Sequence, residues 1–349
     1  MSINEYYSED VHGKHEYFDL GDFPLISGGT LRGARLAYKT HGRLNASKSN
    51  AILFPHMYSG SPLHMEMFVG EGRALDPQEY FIILPGQFGN GLSPSPSNTP
   101  PPYNQTAFPD LMIGDDVVAQ HKLVTEAFGI EELQLVLGWS MGAQQTYEWA
   151  VRYPDMVKRA APFAGTARTS DHCRIFLKCL IEAITSDPAF ENGFYKDAHA
   201  VHAGLRRHAD LFALMGACQE LYVTEAWRSL GFSSVGDFLA AFWQNWFLPM
   251  DPNNLISMMM KWYRSDVSLH TNGDLKKALA RIKAKTYVIA FANDMFFPVD
   301  DQEADRKLIK GSKLKVIDTL WAHFAMLCLT EDDRIAIDTN LKELLNEGA

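Results

Sequence analysis

Apolar residues in this chain are concentrated in short continuous runs that alternate with segments typical of helices. The continuous apolar runs lie at 51–55, 80–85, 133–138, 286–291 and 314–317. A run that is apolar at nearly every position is typical of a parallel strand buried on both faces. One intervening segment, 115–128, starts with two acidic residues and is followed by Gly129, which are start and stop signals of a helix. The alternation predicts an α/β fold with a mostly parallel, doubly wound sheet.

The strand pattern stops at about residue 170 and resumes after residue 275. Between these points the sequence predicts helices that are rich in bulky aromatic residues. We predict that residues 170–275 form a helical lid, inserted into a core domain made of residues 1–169 and 276–349. Trp243 and Trp246 are three residues apart, so they would share one helical face and line an apolar substrate pocket. The alternative is that these aromatic side chains form only the core of the lid itself.

A serine between two glycines is the strongest chemical signal in the sequence. The run Gly138-Trp139-Ser140-Met141-Gly142 fits the pattern Gly-x-Ser-x-Gly, directly after a predicted strand and directly before a predicted helix. That context is typical of the nucleophile elbow of an α/β-hydrolase fold. The turn strains the serine backbone, and the two glycines have no Cβ atoms to clash there. We therefore predict that Ser140 forms an acyl-enzyme, the alternative being a serine that only caps the helix.

A serine hydroxyl needs a base, and the base needs an acid to orient it. In this fold the chain order is serine, acid, histidine. His323 follows the last predicted strand and is the predicted base, with a structural core histidine as the alternative. Asp294 is the first acidic residue after the preceding strand and is the predicted acid. Asp300 and Asp301 are the alternatives, although their place near a helix start favours acids for electrostatic reasons alone.

The negative charge that develops during acyl transfer needs two backbone N–H donors. One should come from Met141, which follows the nucleophile, and the other from the loop after an early strand. In that loop we predict the N–H of Tyr58, with Met57 as the alternative. His56 precedes the nucleophile, so we interpret it as a structural residue.

Charge and composition disfavour several other classes of protein. The chain of 349 residues has a formal net charge of −10 and no basic run, which disfavours nucleic-acid binding. No apolar run approaches ~18 residues, so no membrane-spanning helix is expected. The first ten residues are polar and acidic, and the four cysteines contain no Cys-x-x-Cys pair, so we expect a cytoplasmic protein without disulfides. No metal-binding or nucleotide-binding motif occurs, so we predict no metal and no cofactor.

Several segments resemble the homoserine O-acetyltransferase family of α/β hydrolases over nearly the whole chain. The segments are 36–45, 138–145, 147–154, 250–255 and 294–302. The resemblance implies a helical lid over the site, homodimer contacts through that lid, and acetyl-CoA as the acyl donor.

Two departures from that family concern the groups that bind homoserine. The resemblance implies an aspartate after the catalytic histidine to bind the ammonium group, but here Phe324 follows His323. It also implies a lid arginine that binds the carboxylate, and here Ala209 occupies the matching offset, with Arg206 or Arg207 as possible substitutes. Phe324 therefore predicts an uncharged or apolar group at that end of the substrate pocket.

These departures favour a hydrolase that acts on a small-molecule ester, thioester or related acyl compound. The alternative is an O-acyltransferase that moves an acyl group from coenzyme A to a small alcohol. A third possibility is a binding protein that has the fold without the activity.

Overall fold

A computed structural model of the protein describes residues 4–348, and an eight-stranded sheet forms its centre. The strands are β1 (Glu16–Pro24), β2 (Thr30–His41), β3 (Ala51–Leu53), β4 (Phe81–Pro85), β5 (Leu135–Trp139), β6 (Arg159–Phe163), β7 (Lys285–Phe291) and β8 (Lys313–Ile317). Their order in the sheet is β1-β2-β4-β3-β5-β6-β7-β8. β2 pairs antiparallel with both β1 and β4, and the six strands β3 to β8 are parallel to one another. The predicted mostly parallel α/β sheet is confirmed.

The five predicted strands are β3, β4, β5, β7 and β8, but the sequence did not predict the other three. β1 exposes most of its residues at the sheet edge, and β2 alternates irregularly between buried and exposed positions, so neither has a continuous apolar run. β6 is fully buried but begins with Arg159 and contains Pro162. Both residues are unfavourable in a central strand, which hid it from the pattern.

Helices cover both faces of the sheet. The α-helices of the described chain are α1 (Glu9–His12), α2 (Pro62–Met65), α3 (Ile113–Lys122), α4 (Met141–Arg152), α5 (Asp171–Thr185), α6 (His202–Gly216), α7 (Gln219–Val223), α8 (Val235–Phe238), α9 (Asn245–Phe247), α10 (Pro252–Tyr263), α11 (Leu275–Leu279), α12 (Val299–Leu308) and α13 (Glu331–Asn346). The 3₁₀ segments are Glu5–Tyr7, Glu66–Phe68, Gln105–Ala107, Pro188–Gly193, Ala198–Val201, Ala226–Leu230, Val267–Thr271 and Ala322–Leu327. Two π-helical turns, Leu123–Ala127 and Leu239–Gln244, extend α3 and α8.

The chain between β6 and β7 contributes helices α5 to α11 and no strand of the sheet. Helix α10 joins this part of the molecule to the core through a buried ion pair. Lys261 Nζ lies 2.5 Å from Asp116 Oδ2 on α3 and also donates to the Phe88 carbonyl at 2.8 Å. Both charged side chains are completely buried. The division into a core domain and a lid at residues 170–275 stays a prediction.

Within residues 4–348, no helix is both long enough and apolar enough to cross a bilayer.

Candidate active site

Ser140 occupies the sharp turn between β5 and α4. Its backbone has φ 58° and ψ −118°, a strained conformation for a residue with a side chain, and its N–H donates to the Phe163 carbonyl of β6 at 2.9 Å. A Cβ at Gly138 would lie 2.2 Å from the Gly142 carbonyl oxygen, and a Cβ at Gly142 would lie 2.5 Å from the Pro55 carbonyl oxygen. The elbow therefore requires both glycines.

His323 lies within hydrogen-bond distance of Ser140, in the 3₁₀ segment that follows β8. Its Nε2 is 3.1 Å from Ser140 Oγ, and its Nδ1 is 2.8 Å from Asp294 Oδ2. All three residues are buried. When Nδ1–H donates to Asp294, Nε2 carries a free lone pair that can accept the serine hydroxyl proton. The three side chains meet because β5, β7 and β8 are parallel, so their carboxyl ends share one edge of the sheet.

Asp294 sits in the turn after β7, and the backbone holds its second oxygen. Oδ1 accepts hydrogen bonds from the N–H groups of Phe296 at 2.8 Å and Phe297 at 3.1 Å, which leaves Oδ2 to face the imidazole. The two alternative acids do not reach His323. Asp300 and Asp301 lie in the first turn of α12, the former exposed and the latter half-buried.

The backbone N–H groups that are predicted to stabilise the oxyanion belong to residues beside Ser140. Met141 follows it directly, and Met57 and Tyr58 line the same cavity. None of these three N–H groups has a hydrogen-bond acceptor among residues 4–348. Their role as oxyanion donors, and the choice between Tyr58 and Met57, stay predictions.

The cavity at Ser140 is small and mostly aromatic. Its volume is about 20 Å³, and its walls are Met57, Tyr58, Ser59, Trp139, Ser140, Phe212, Trp243, Trp246, His323, Phe324 and Leu327. The Phe324 ring lies 4.2 Å from the Trp243 ring between centroids and 5.5 Å from that of Phe212. A Cβ at Gly216 would lie 1.9 Å from Phe324 Cζ, so the ring packs directly against the backbone of α6. Three of the predicted substrate-binding residues, Trp243, Trp246 and Phe324, therefore meet at Ser140.

Contrary to the prediction, the fourth residue, Arg206, does not line this cavity. Arg206 is exposed on α6, while Leu205, His208 and Ala209 face inward. The helical period places Arg206 on the solvent side, because the inward stripe is already formed by those neighbours. Arg207 is also exposed and donates to the Ala183 carbonyl at 3.1 Å. Neither arginine lines the cavity.

His208 is a neighbour of the site that the sequence did not reveal. Tyr58 O–H donates to its Nε2 at 3.3 Å, and its own Nδ1 faces the Leu180 carbonyl at 3.4 Å. Burial lowers the pKa of His208 to about 4, so its ring is neutral at physiological pH. Helical spacing after Leu205 was the available signal, but it does not distinguish a site residue from a core residue.

His56, which we interpreted as a structural residue, and His270 do not line the cavity at Ser140. His56 Nδ1 donates to the Met57 carbonyl at 2.8 Å, and burial lowers its pKa to about 3. His270 Nε2 donates to Glu148 on α4 at 2.9 Å. Both fix local backbone or helix positions rather than facing the cavity.

Comparison with known proteins places this geometry in a family. A family model described as the alpha/beta hydrolase fold matches residues 50–327. The chain is 51% identical over 348 residues to an ethyl acetate hydrolase of Pseudomonas veronii, covering 99% of this chain and 100% of that protein. It is 30% identical over 366 residues to a homoserine O-acetyltransferase of Thermobifida fusca, covering 96% and 95% respectively.

A solved structure of the acetyl esterase MekB is similar to this chain over nearly its full length. It superposes with a TM-score of 0.97 at 51% identity, covering 98% of this chain and 100% of that one. These matches confirm the predicted fold class and the resemblance to homoserine O-acetyltransferases. The chain belongs to the α/β-hydrolase family, in a branch that contains ester hydrolases as well as homoserine O-acetyltransferases.

Proposed function

We propose that the chain hydrolyses esters of short, uncharged carboxylic acids, such as acetate esters, through an acyl group on Ser140. The observation that carries this proposal is the linked set of Ser140, His323 and Asp294 at a small, uncharged aromatic cavity. Full-length similarity to an ethyl acetate hydrolase and to an acetyl esterase supports the same chemistry.

The first half of the reaction transfers the acyl group to the protein. His323 Nε2 takes the proton of Ser140 as Oγ attacks the ester carbonyl carbon, and Asp294 stabilises the imidazolium that forms. The backbone N–H groups of Met141 and of Tyr58 or Met57 stabilise the oxyanion of the tetrahedral intermediate. The intermediate expels the alcohol, which takes the proton from His323.

Water completes the second half of the reaction. His323 Nε2 removes a proton from the water as it attacks the acyl carbon, and Ser140 regains its proton when the carboxylic acid leaves. Serine, histidine, aspartate and water supply every group that this hydrolysis needs, so it requires no metal and no cofactor.

The cavity walls favour a short acyl group without charge. Trp243 and Phe324 pack against each other on one side, and neutral His208 stands behind Tyr58 on another. Apart from His323, none of the wall residues named above is an aspartate, glutamate, lysine, arginine or histidine. A charged substrate group in this cavity would lose its hydration without gaining a partner, which costs several kcal/mol.

The lack of charged partners in the cavity walls also argues against the alternative, acyl transfer from coenzyme A to homoserine. Phe324 follows the histidine where an aspartate would bind the ammonium group, and Arg206 is exposed on α6. We therefore propose water as the acceptor of the acyl group.

Homodimer formation through the lid and a cytoplasmic location also stay predictions. The mass of the protein in solution tests the first of these.

Replacing the serine tests the proposal. Ser140→Ala should lower the turnover of an activated acetate ester by roughly 10⁴- to 10⁶-fold, leaving only the catalysis that binding and the oxyanion donors provide. A fluorophosphonate probe should label the wild-type protein and not the variant. Ser47→Ala, on an exposed loop, is the matched control and should behave as the wild type. Equal labelling of the wild type and Ser140→Ala would remove Ser140 from the mechanism.

A further inference from the structure

The cavity at Ser140 is too small for the proposed substrates in the conformation observed. Its volume of about 20 Å³ holds about one water molecule. Even the smallest acetate ester is several times larger than one water molecule. If the protein hydrolyses esters at Ser140, at least one wall residue must therefore move before the substrate binds.

Three of the eleven wall residues are partly exposed, and these form the mouth of the cavity. They are Ser59, Trp246 and Leu327, whereas the other eight are buried. A route for the ester must pass one of these three side chains.

Trp246 separates the cavity from a large outer groove. The groove has a volume of about 800 Å³ and is lined by Asn4, Glu5, Tyr6, Val11, His199, Ala241, Phe242, Asn245, Trp246 and Pro249. Among the described residues, Trp246 is the one that lines both the groove and the cavity. A volume of this size is within the range of small-molecule sites. Trp246 thus lies between a space that can accept an ester and the space that contains Ser140 Oγ.

Among the residues that the structure describes, one side-chain hydrogen bond holds Trp246 in place. Trp246 Nε1–H donates to Ser59 Oγ at 2.9 Å, across the mouth of the cavity. The ring also lies beside that of His64, with centroids 5.0 Å apart. Burial lowers the pKa of His64 to about 4, so the contact involves no cation. One neutral hydrogen bond at a partly exposed position is easily exchanged for a bond to water.

The backbone around Trp246 is fixed, in contrast to its indole. Phe247, the next residue, is completely buried. Asn4 Nδ2 donates to the Pro249 carbonyl at 3.1 Å, and the Asp251 N–H donates to Tyr7 Oη at 2.9 Å. The N-terminal segment therefore holds the stretch after Trp246 against the core, and opening requires a rotation of the indole rather than a movement of the lid.

We propose that Trp246 is the gate to Ser140, that its hydrogen bond to Ser59 keeps the gate closed, and that esters reach the site through the outer groove. This inference rests on the proposed function, because it assigns the access route of that same site. Trp246 then determines how readily an ester of given size reaches Ser140, a role distinct from that of the fixed wall formed by Trp243 and Phe324.

Two substitutions remove the closing hydrogen bond from opposite sides. Ser59→Ala removes the acceptor, and Trp246→Phe removes the donor while it keeps an aromatic ring. The measurement is the second-order rate of inactivation by a fluorophosphonate, which must pass the gate to react with Ser140. Loss of one neutral hydrogen bond should raise the open fraction, and therefore this rate, by roughly two- to tenfold. Trp227→Phe is the matched control, because Trp227 is buried in the lid and lines neither space.

The proposal is supported if Ser59→Ala and Trp246→Phe both react faster than the wild type while Trp227→Phe does not. It is overturned if Trp246→Phe reacts at the rate of Trp227→Phe. It is also overturned if Leu327→Ala accelerates inactivation and Trp246→Phe does not, since the access route would then lie at Leu327. A wild-type protein that never reacts with the probe would instead contradict the proposed function. Unfolding midpoints measured in parallel show that each variant is folded.

Discussion

Replacing Asp294 by asparagine should reverse the hydrogen bond that, in the proposed mechanism, prepares His323 to act as a base. Oδ1 of Asp294 accepts two backbone N–H groups, from Phe296 at 2.8 Å and from Phe297 at 3.1 Å. In Asp294→Asn the amide oxygen must take this position, because an NH₂ group there would face two buried donors. Each donor left unsatisfied costs about 1–3 kcal/mol. The NH₂ group is therefore directed at His323 Nδ1, 2.8 Å from the original carboxylate oxygen.

An NH₂ group at that position donates to Nδ1, so the neutral imidazole must carry its proton on Nε2. Nε2 lies 3.1 Å from Ser140 Oγ and can then no longer accept the serine proton. We expect kcat/KM for an activated acetate ester to fall by about 10⁴-fold. This corresponds to about 5 kcal/mol of transition-state stabilisation. The fold should persist, because the amide keeps both backbone hydrogen bonds.

The controls are Asp300→Asn and Asp301→Asn, which should each stay within about tenfold of the wild type, or ~1.4 kcal/mol. Both residues lie in the first turn of α12 rather than beside His323. Rates are best compared for the ester and for fluorophosphonate labelling, with an unfolding curve for each variant. A nearly silent Asp294→Asn together with a large loss in one of the controls would refute the assignment of the acid.

Three further predictions concern specificity and stability. With acetyl-CoA and homoserine, the kcat/KM for acetylation should stay below ~10⁴ M⁻¹s⁻¹, because Phe324 offers the ammonium group at most a weak cation–π contact. The release of free thiol measures this rate. A kcat/KM at or above that value would restore the transferase interpretation. Lys261→Met should lower the free energy of unfolding by about 3–5 kcal/mol, because it leaves the buried Asp116 carboxylate unpaired. Urea titrations measure this loss, and adding Asp116→Leu should recover part of it. An unchanged unfolding midpoint for Lys261→Met would show that the ion pair contributes nothing to stability. Burial raises the pKa of Asp305 from 3.8 to about 7. Between these pH values the folded state holds a proton that the unfolded state releases. The free energy of unfolding should therefore fall as the pH rises from 3.8 to 7, by up to about 4 kcal/mol. Asp305→Asn, which keeps an acceptor for the Ala167 N–H, should flatten this slope between pH 4 and 7, and an unchanged slope would contradict the cause.

Much of the candidate site was predictable because its signals are local. The spacing of the two glycines around Ser140 is visible in five residues of sequence, although the contact that requires Gly142 is with the Pro55 carbonyl after β3. Asp294 and His323 are recognisable because each follows an apolar strand, and parallel strands bring their carboxyl ends to one edge of the sheet. The continuous apolar runs of β3, β4, β5, β7 and β8 reflect burial on both faces, which is a property of each strand alone.

Other features depended on contacts that no local pattern encodes. β1 and β2 form the antiparallel edge of the sheet, where only part of each strand is buried, so their apolar residues do not form continuous runs. Arg206 was predicted as a nearby substitute for a lid arginine whose matching offset is occupied by Ala209, yet the packing of α6 turns Arg206 to solvent. His208 and Lys261 are polar residues that helical spacing alone could have placed on either face.

Residue type and short-range spacing were enough to identify five of the strands, the elbow at Ser140 and the order of the three candidate catalytic residues. The enclosure of the site depends instead on contacts between residues that are far apart in the sequence. Trp246 meets Ser59 across 187 residues of sequence, and Lys261 meets Asp116 across 145. Such contacts result from the packing of whole helices onto the sheet. The combined burial of many side chains selects which face of a helix points at the active site, and no single residue's preference is enough to do so.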